Sequence, residues 1–300
     1  MSSSVSSKPL VSVIMNCYNG EKFLDDAIKS VLIQTYENWE LIFWDNQSTD
    51  RSAEIFLRYD DQRLKYFRAQ SHSLLYAARN RAIANSKGDL IAFLDVDDWW
   101  NPDKLKRQIP LFENDRVGFV CSNYWIVNSV KNTMKLFRRK DIPQGNVLNN
   151  LLIDYPVGLL TLVVRRSAFD GLHGGCDERL HIAGDRDLVI RLALNWEMEC
   201  IQEPLAWYRI HGENEGQKQR ARQLNEYSFW TKELASVPMI RNLSGYDVLI
   251  NEFNYMTGLQ LVDQREYRRA LKIVHQLPLG MFKLKLFISV LLKIIYSLLK

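Results

Sequence analysis

"GDLIAFLDVDDWWNPDKL", residues 88–105, decides how this chain is read. Residues 89–95 form an apolar run that suits a buried strand. It closes on three carboxylates in four positions, Asp95, Asp97 and Asp98, followed by two tryptophans and a proline. Carboxylates so close together repel one another unless something positive shares the site. The next helix does not need them. Asn101 as N-cap, Pro102 at the first helical position and Asp103 in the first turn already start it. Two readings stand: a capped loop, or oxygens presented at a strand's end to one hard cation such as Mg²⁺ or Mn²⁺, which in turn binds phosphate.

Upstream of this stretch, strand and helix patterns alternate. "LVSVIMNCYNG" (10–20) and "WELIFWD" (39–45) read as buried strands, and "RLKYFR" (63–68) as a more polar one. Between them, Phe23, Leu24, Ala27, Ile28, Val31 and Leu32 share one helical face. "STDRSAEIFLRY" opens a helix with capping residues. "SLLYAARNRAIANSKG" reads as a helix with Gly88 at its C′ position. This alternation predicts an α/β fold, a mostly parallel sheet flanked by helices. Ligands in such sheets bind beyond the carboxyl ends of the strands, where "NCYNG", "DNQSTD" and "DVDD" all fall.

The second half is less regular. Residues 117–128 and 158–166 read as strands, 185–196 as a helix and 198–212 as a strand with an edge proline. From about 214 to 277 the pattern is helical. The expected layout is a loose tail at 1–9, an α/β domain at 10–213, a helical appendage at 214–278 and a basic helix at 279–300.

Composition narrows the classes. At 300 residues, 47% hydrophobic and 25% charged, the chain can bury a normal globular core. "MSSSVSSKPL" lacks the features of a secretory signal. Cys17, Cys121, Cys176 and Cys200 show no CxxC pair, which favours a reducing compartment over a disulfide framework or zinc site. The net charge is +4, and the last twenty residues carry four lysines and no acids. The rest of the chain therefore balances near zero, and no nucleic-acid-binding face is indicated.

"VSVIMNCYNGEKFLDDAIKSVLIQTYENWELIFWDNQSTD" and "ARNRAIANSKGDLIAFLDVDDWWNPDKL" together resemble family 2 glycosyltransferases of the GT-A fold, over about residues 10–212. The resemblance implies an inverting enzyme that uses nucleotide-sugar donors. It implies that Asp95 and Asp97 form the DxD that holds a divalent metal and the donor's diphosphate and ribose, with Asp98 as an additional contact and either Asp97 or Asp98 as the main metal ligand. It also implies that Tyr18 stacks on the base and that Asp45 and Asn46 line the base pocket. Many relatives carry a second aspartate where this chain has Asn46, and an amide can donate as well as accept. Arg79 either faces the same pocket or lies on the helix surface.

Inverting transfer is a single displacement that needs a base for the acceptor hydroxyl. By resemblance that base is Asp185, in "GDRDLVIRL", although Gly184 stands where an acidic neighbour is common. Asp185 could cap its helix at the same time, and Asp187 reads as first-turn charge. His211, in "YRIHG", is a metal or diphosphate contact by resemblance and a packed histidine otherwise. Trp99, Trp100 and Trp207 suit sugar stacking or core packing. Asp177 and Glu178 suit sugar hydroxyls or plain loop charge.

In "MFKLKLFISVLLKIIYSLLK" the longest uncharged stretch, Leu286–Leu292, is far short of the roughly 20 residues of a membrane span. Lys285, Ser289, Lys293 and Ser297 recur every fourth residue, with Lys300 near the same line. Such a helix suits an anionic membrane interface, or else docking on the protein or in a homodimer. The expected setting is cytoplasmic, peripheral on the inner face of the cell membrane, with a saccharide or lipid-linked acceptor. Two other classes share features: a sugar-1-phosphate nucleotidyltransferase, and a silent nucleotide-binding scaffold. The first would need a glycine-rich basic loop after the first strand, where "NCYNGEKF" supplies one glycine and one lysine.

Overall fold

The first strand, β1 (Val11–Cys17), is buried along its whole length, as is β2 (Trp39–Asp45). Strands this apolar need cover on both faces. Helix α1 (Leu24–Leu32) supplies part of it by turning Leu24, Ala27, Ile28 and Val31 inward. Asp25 and Asp26 sit in its first turn, where the helix dipole favours them. After α2 (Ser52–Leu57) comes β3 (Leu64–Arg68), half-buried, in keeping with its more polar sequence, and at the edge of the sheet. Helix α3 (Leu75–Ala84) leads into β4 (Leu90–Phe93). These data come from a computed structural model of the chain, which describes residues 8–212 and 220–298. Residues 1–7 of the expected tail and the expected boundary near Asn214 lie outside them.

The chain continues through β5 (Trp99–Trp100), α4 (Lys104–Gln108), β6 (Val117–Asn128), β7 (Thr133–Leu136), α5 (Leu148–Ile153), β8 (Val163–Arg165), α6 (Arg166–Asp170), α7 (Gly184–Ala193) and β9 (Glu197–Ile210). The sheet order is β3-β2-β1-β4-β8-β6-β9-β5, with β7 on β6. β1, β2, β3 and β4 pair in parallel, whereas β8 runs antiparallel to both β4 and β6. The chain thus builds outward from β1 to β3 and returns on the other side of β1 with β4. That reversal is a topological switch point, the crevice where open α/β sheets bind ligands.

Three sequence expectations change. Helix α3 ends at Ala84, so Gly88 is no cap. Its N–H donates to Ser12 Oγ (2.7 Å), and a Cβ there would lie 2.6 Å from the Ser12 backbone nitrogen; glycine is needed for that approach to β1. Residues 158–166 hold a 3-10 turn (Leu159–Thr161) before only three residues of strand. Pro204 lies on a strand paired on both sides, at a register irregularity opposite Asn123, where a missing N–H is tolerated.

The described residues form two compact units, 8–147 with 156–212 and 148–155 with 220–298. The second is helical: α8 (Arg220–Ala235), α9 (Pro238–Arg241), α10 (Ser244–Asp263), α11 (Tyr267–Gln276) and α12 (Met281–Leu298) join α5. Asn149 of α5 accepts the Gly245 N–H at the start of α10 (2.8 Å). Leu261, Val262, Ala270, Val274, Leu286 and Val290 build a core among α10, α11 and α12.

Candidate active site

The switch point places the turn after β1 beside the turn after β4. Gly20 makes the approach possible, since a Cβ there would meet Val96 at 2.8 Å. Asn19 takes a left-handed backbone (φ 56°), which asparagine tolerates. Its Oδ1 accepts Thr49 N–H (2.8 Å), tying the turns after β1 and β2 together.

Asp45, the last residue of β2, is fully buried. It accepts Ser48 N–H and Tyr66 O–H, each at 2.7 Å. Asn46 uses both halves of its amide. Nδ2 donates to Ser73 O (2.8 Å) while Oδ1 accepts Ser73 N–H (3.2 Å). These two residues therefore shape the rim. Tyr18 projects from it, 53% exposed, its ring 4.4 Å from that of His72. His72 Nδ1 donates to Asn46 O (3.0 Å). Sequence reading passed over His72; nothing in "AQSHSLL" marks a partner for Tyr18 contributed by the β3–α3 connection.

Arg79 is buried, not on the helix surface, and Nη2 donates to Asp95 Oδ1 at 2.7 Å. The Asp95 side chain remains 41% exposed. Asp97 Oδ2 lies 2.9 Å from His211 Nε2. Burial, then the charge of Asp95, raises the Asp97 pKa, against the opposing effect of His211. Asp98 is buried and accepts the Arg209 N–H (2.8 Å). Burial, then the charges of Asp97 and Asp95, pushes its carboxyl well up. Arg209 also donates from Nε to Asp97 O (2.9 Å) and from Nη2 to Asp26 (2.8 Å), and its guanidinium lies over Phe23 and Trp99. β9 thus holds the acidic turn from behind, through an arginine that the sequence reading did not single out.

Helix α4 starts at Lys104 with Asp103 in the N-cap place, two residues later than the cap expected at Asn101; Asn101 Oδ1 accepts Asp103 N–H (2.9 Å) in the turn that precedes it. Trp99 and Trp207 stack at 5.8 Å across the β5–β9 pair, and Trp100 is buried with its indole N–H on Leu160 O (2.7 Å).

Asp185 lies in the first turn of α7, after Ala183 in the N-cap place, and its Oδ1 accepts the Arg186 N–H (2.7 Å). Burial raises its pKa; the positive charges of Arg79 and Arg186 pull it back. Gly184 packs on Tyr76, and a Cβ there would lie 2.3 Å from the buried ring. The tyrosine fills the space a side chain at 184 would need. Asp187 pairs with Arg191 (2.7 Å) and Asp177 with Arg179 (2.6 Å). Asn80 donates to Glu178 and exchanges two bonds with the Cys176 backbone at 2.9 Å, which fixes the 174–178 loop on α3.

Among the described residues no group of three or more His, Cys, Asp or Glu side chains is arranged to hold a metal ion. Asp95 and Asp97 lie on the turn after β4, and His211 reaches Asp97 from the end of β9. Carboxylates and an imidazole are donor types that a hard divalent ion accepts, so the chemistry of these residues fits one although they are not drawn together around a common point.

The sequence model for "Glycosyl transferase family 2" matches residues 12–170. The chain is 37% identical over 158 residues to the Escherichia coli UDP-Glc:alpha-D-GlcNAc-diphosphoundecaprenol beta-1,3-glucosyltransferase WfgD, covering 53% of this chain and 61% of that protein. Its fold matches S. aureus TarS 1-349, solved in complex with UDP-GlcNAc, with TM-score 0.63 and 19% identity, covering 89% of this chain and 81% of that one. The mannosyltransferase PcManGT from Pyrobaculum calidifontis, solved with GDP-Man and Mn²⁺, matches with TM-score 0.63 and 16% identity, over 90% of this chain and 75% of that one. A family match over more than half of the sequence, with a GT-A architecture around it, is decisive: the chain belongs to glycosyl transferase family 2.

Proposed function

We propose that this protein transfers a sugar, with inversion, from a nucleoside diphosphate sugar to a hydroxyl of a lipid-linked saccharide at the inner membrane face, in surface polysaccharide or glycolipid assembly. One observation carries the reading. Arg79 on α3 bonds Asp95 on the acidic turn and lies over the ring of Tyr76, against which Gly184 beside Asp185 packs, so α3 links both halves of the site. The names of its relatives support the donor and acceptor classes: WfgD is named for UDP-Glc and a diphosphoundecaprenol-linked sugar, and PcManGT was solved with GDP-Man and Mn²⁺.

The acceptor hydroxyl attacks the anomeric carbon opposite the nucleotide. A new C–O bond forms as the bond to the diphosphate oxygen breaks, and that oxygen leaves with the electron pair. Asp185 takes the hydroxyl proton. Tyr18, with His72 beside it, offers the base an aromatic face, and Asp45 and Asn46 hold the pocket's wall in place. Asp95, Asp97 and His211 would hold the divalent ion, and Asp98 would support the turn. When bound, that ion offsets the charge of the leaving diphosphate.

Nucleotide-induced thermal shifts, with UDP, dTDP and GDP each with and without Mn²⁺, test the donor site. Turnover of the matching sugar nucleotide tests the chemistry. Asp185→Asn should retain the shift and lose about 10²–10⁴-fold in kcat, the usual worth of a general base. Asp97→Ala should lose the Mn²⁺-dependent part of the shift. Full activity in both variants would overturn the assignment.

A further inference from the structure

Helix α12 has two apolar faces, and the described residues cover only one. Leu286 and Val290 are buried against α10 and α11, with Phe282 and Ile294 packed beside them. Leu284, Phe287, Ile288, Leu291, Leu292 and Ile295 form a second stripe at helical spacing, between 40% and 63% exposed. Leu279 and Met281, just before it, are 93% and 67% exposed. A groove of about 630 Å³ runs beside the stripe, lined by Leu271, Val274, Leu279, Leu284 and Phe287, with His275 and Lys283 as its polar members. Soluble monomers rarely leave so much contiguous apolar surface to water.

Charge identifies the occupant. From residue 267 to the end of the described helix there are six lysines and arginines (Arg268, Arg269, Lys272, Lys283, Lys285 and Lys293) and no aspartate or glutamate; of the six, Arg269 pairs with Glu266 just before them (2.6 Å). A second copy seated two-fold on this face would set those cations against their own equivalents, which opposes pairing. An anionic surface takes them without conflict. Among the described residues no helix is long and apolar enough to cross a membrane, so the element can lie in a bilayer interface but not span it.

We propose that the outer stripe of α12, with the groove between α11 and α12, seats the protein on an anionic lipid surface, the stripe among the acyl chains and the lysines at the phosphates. This deepens the membrane-side reading of the acceptor and rests on it for its purpose. The surface itself is argued from the helical unit alone.

Co-sedimentation of the full chain with phosphatidylcholine vesicles, with and without phosphatidylglycerol, tests it. Binding is expected only with the anionic lipid. Phe287→Glu with Leu291→Glu, both exposed positions, should abolish binding while leaving the melting temperature and the nucleotide-induced shift unchanged. Lys285→Gln with Lys293→Gln should weaken partition by about fivefold per lysine. Absence of vesicle binding would overturn the proposal. So would undiminished binding by the double glutamate variant, or a dimer in light scattering that this variant dissociates. The nucleotide shift is read separately, so failure here is distinguishable from failure of the donor site.

Discussion

The positive charge of Arg79, paired with Asp95, acts on Asp185, and pH can read out the effect. Burial favours the neutral carboxyl of Asp185, so its pKa stands above the ordinary aspartate value, and Arg79 opposes the rise. A base must be deprotonated to act. Lowering the pH through the raised pKa therefore removes activity at a higher pH than for an exposed aspartate, whose pKa is about 3.9. Replacing Arg79 by glutamine removes a charge that favours the carboxylate. The acid limb of kcat/KM should then move to higher pH, on top of a loss of donor affinity from the broken Asp95 contact. An unmoved limb in Arg79→Gln would separate the two halves of the site. The proposal of Asp185 as the base starts from its place in "GDRDLVIRL". The reason for Gly184 was not legible there, because Tyr76, the ring that excludes a side chain at that position, lies more than a hundred positions away in the sequence.

At the scale of elements, the parallel strands and their order of polar turns followed from the sequence because each depends on a local period. β1 and β2 are apolar throughout and β3 is not. What failed to show was pairing between distant segments. Gly88 looked like a helix stop by position, yet its role is an approach to Ser12 on another strand. Arg209 looked like one more strand residue, yet it bonds Asp97, Asp98 and Asp26 and lies over two rings. Lysine keeps the charge but has neither the planar fork nor the same stacking surface. Arg209→Lys should loosen the acidic turn and raise the donor KM by about tenfold, the equivalent of one lost charged hydrogen bond. The kcat should fall less, since Asp185 on α7 is untouched. A kcat loss with unchanged KM would place Arg209 elsewhere in the reaction.

The whole molecule departs most from a linear reading of the chain at residues 148–155, which fold with the helical unit although the sheet continues on either side of them. Leu151 and Leu152 are fully buried, and a Cβ on Gly245 would meet the Asn149 carbonyl oxygen at 2.6 Å, so α5 and α10 are in close contact. No local signal announces this, because six residues of "LNNLLI" look alike whichever unit receives them. The consequence concerns where the chain can be cut. A fragment ending at residue 212 keeps every strand of the sheet but deprives α5 of α10. Two buried leucines become exposed, each worth about 1.5–3 kcal/mol of burial. The fragment should lose solubility, and limited proteolysis should cut it between residues 145 and 158. The full chain should resist cleavage there. Replacing Leu151 and Leu152 by serine should restore the fragment's solubility while destabilising the full chain, an opposite sign that a merely exposed loop would not produce.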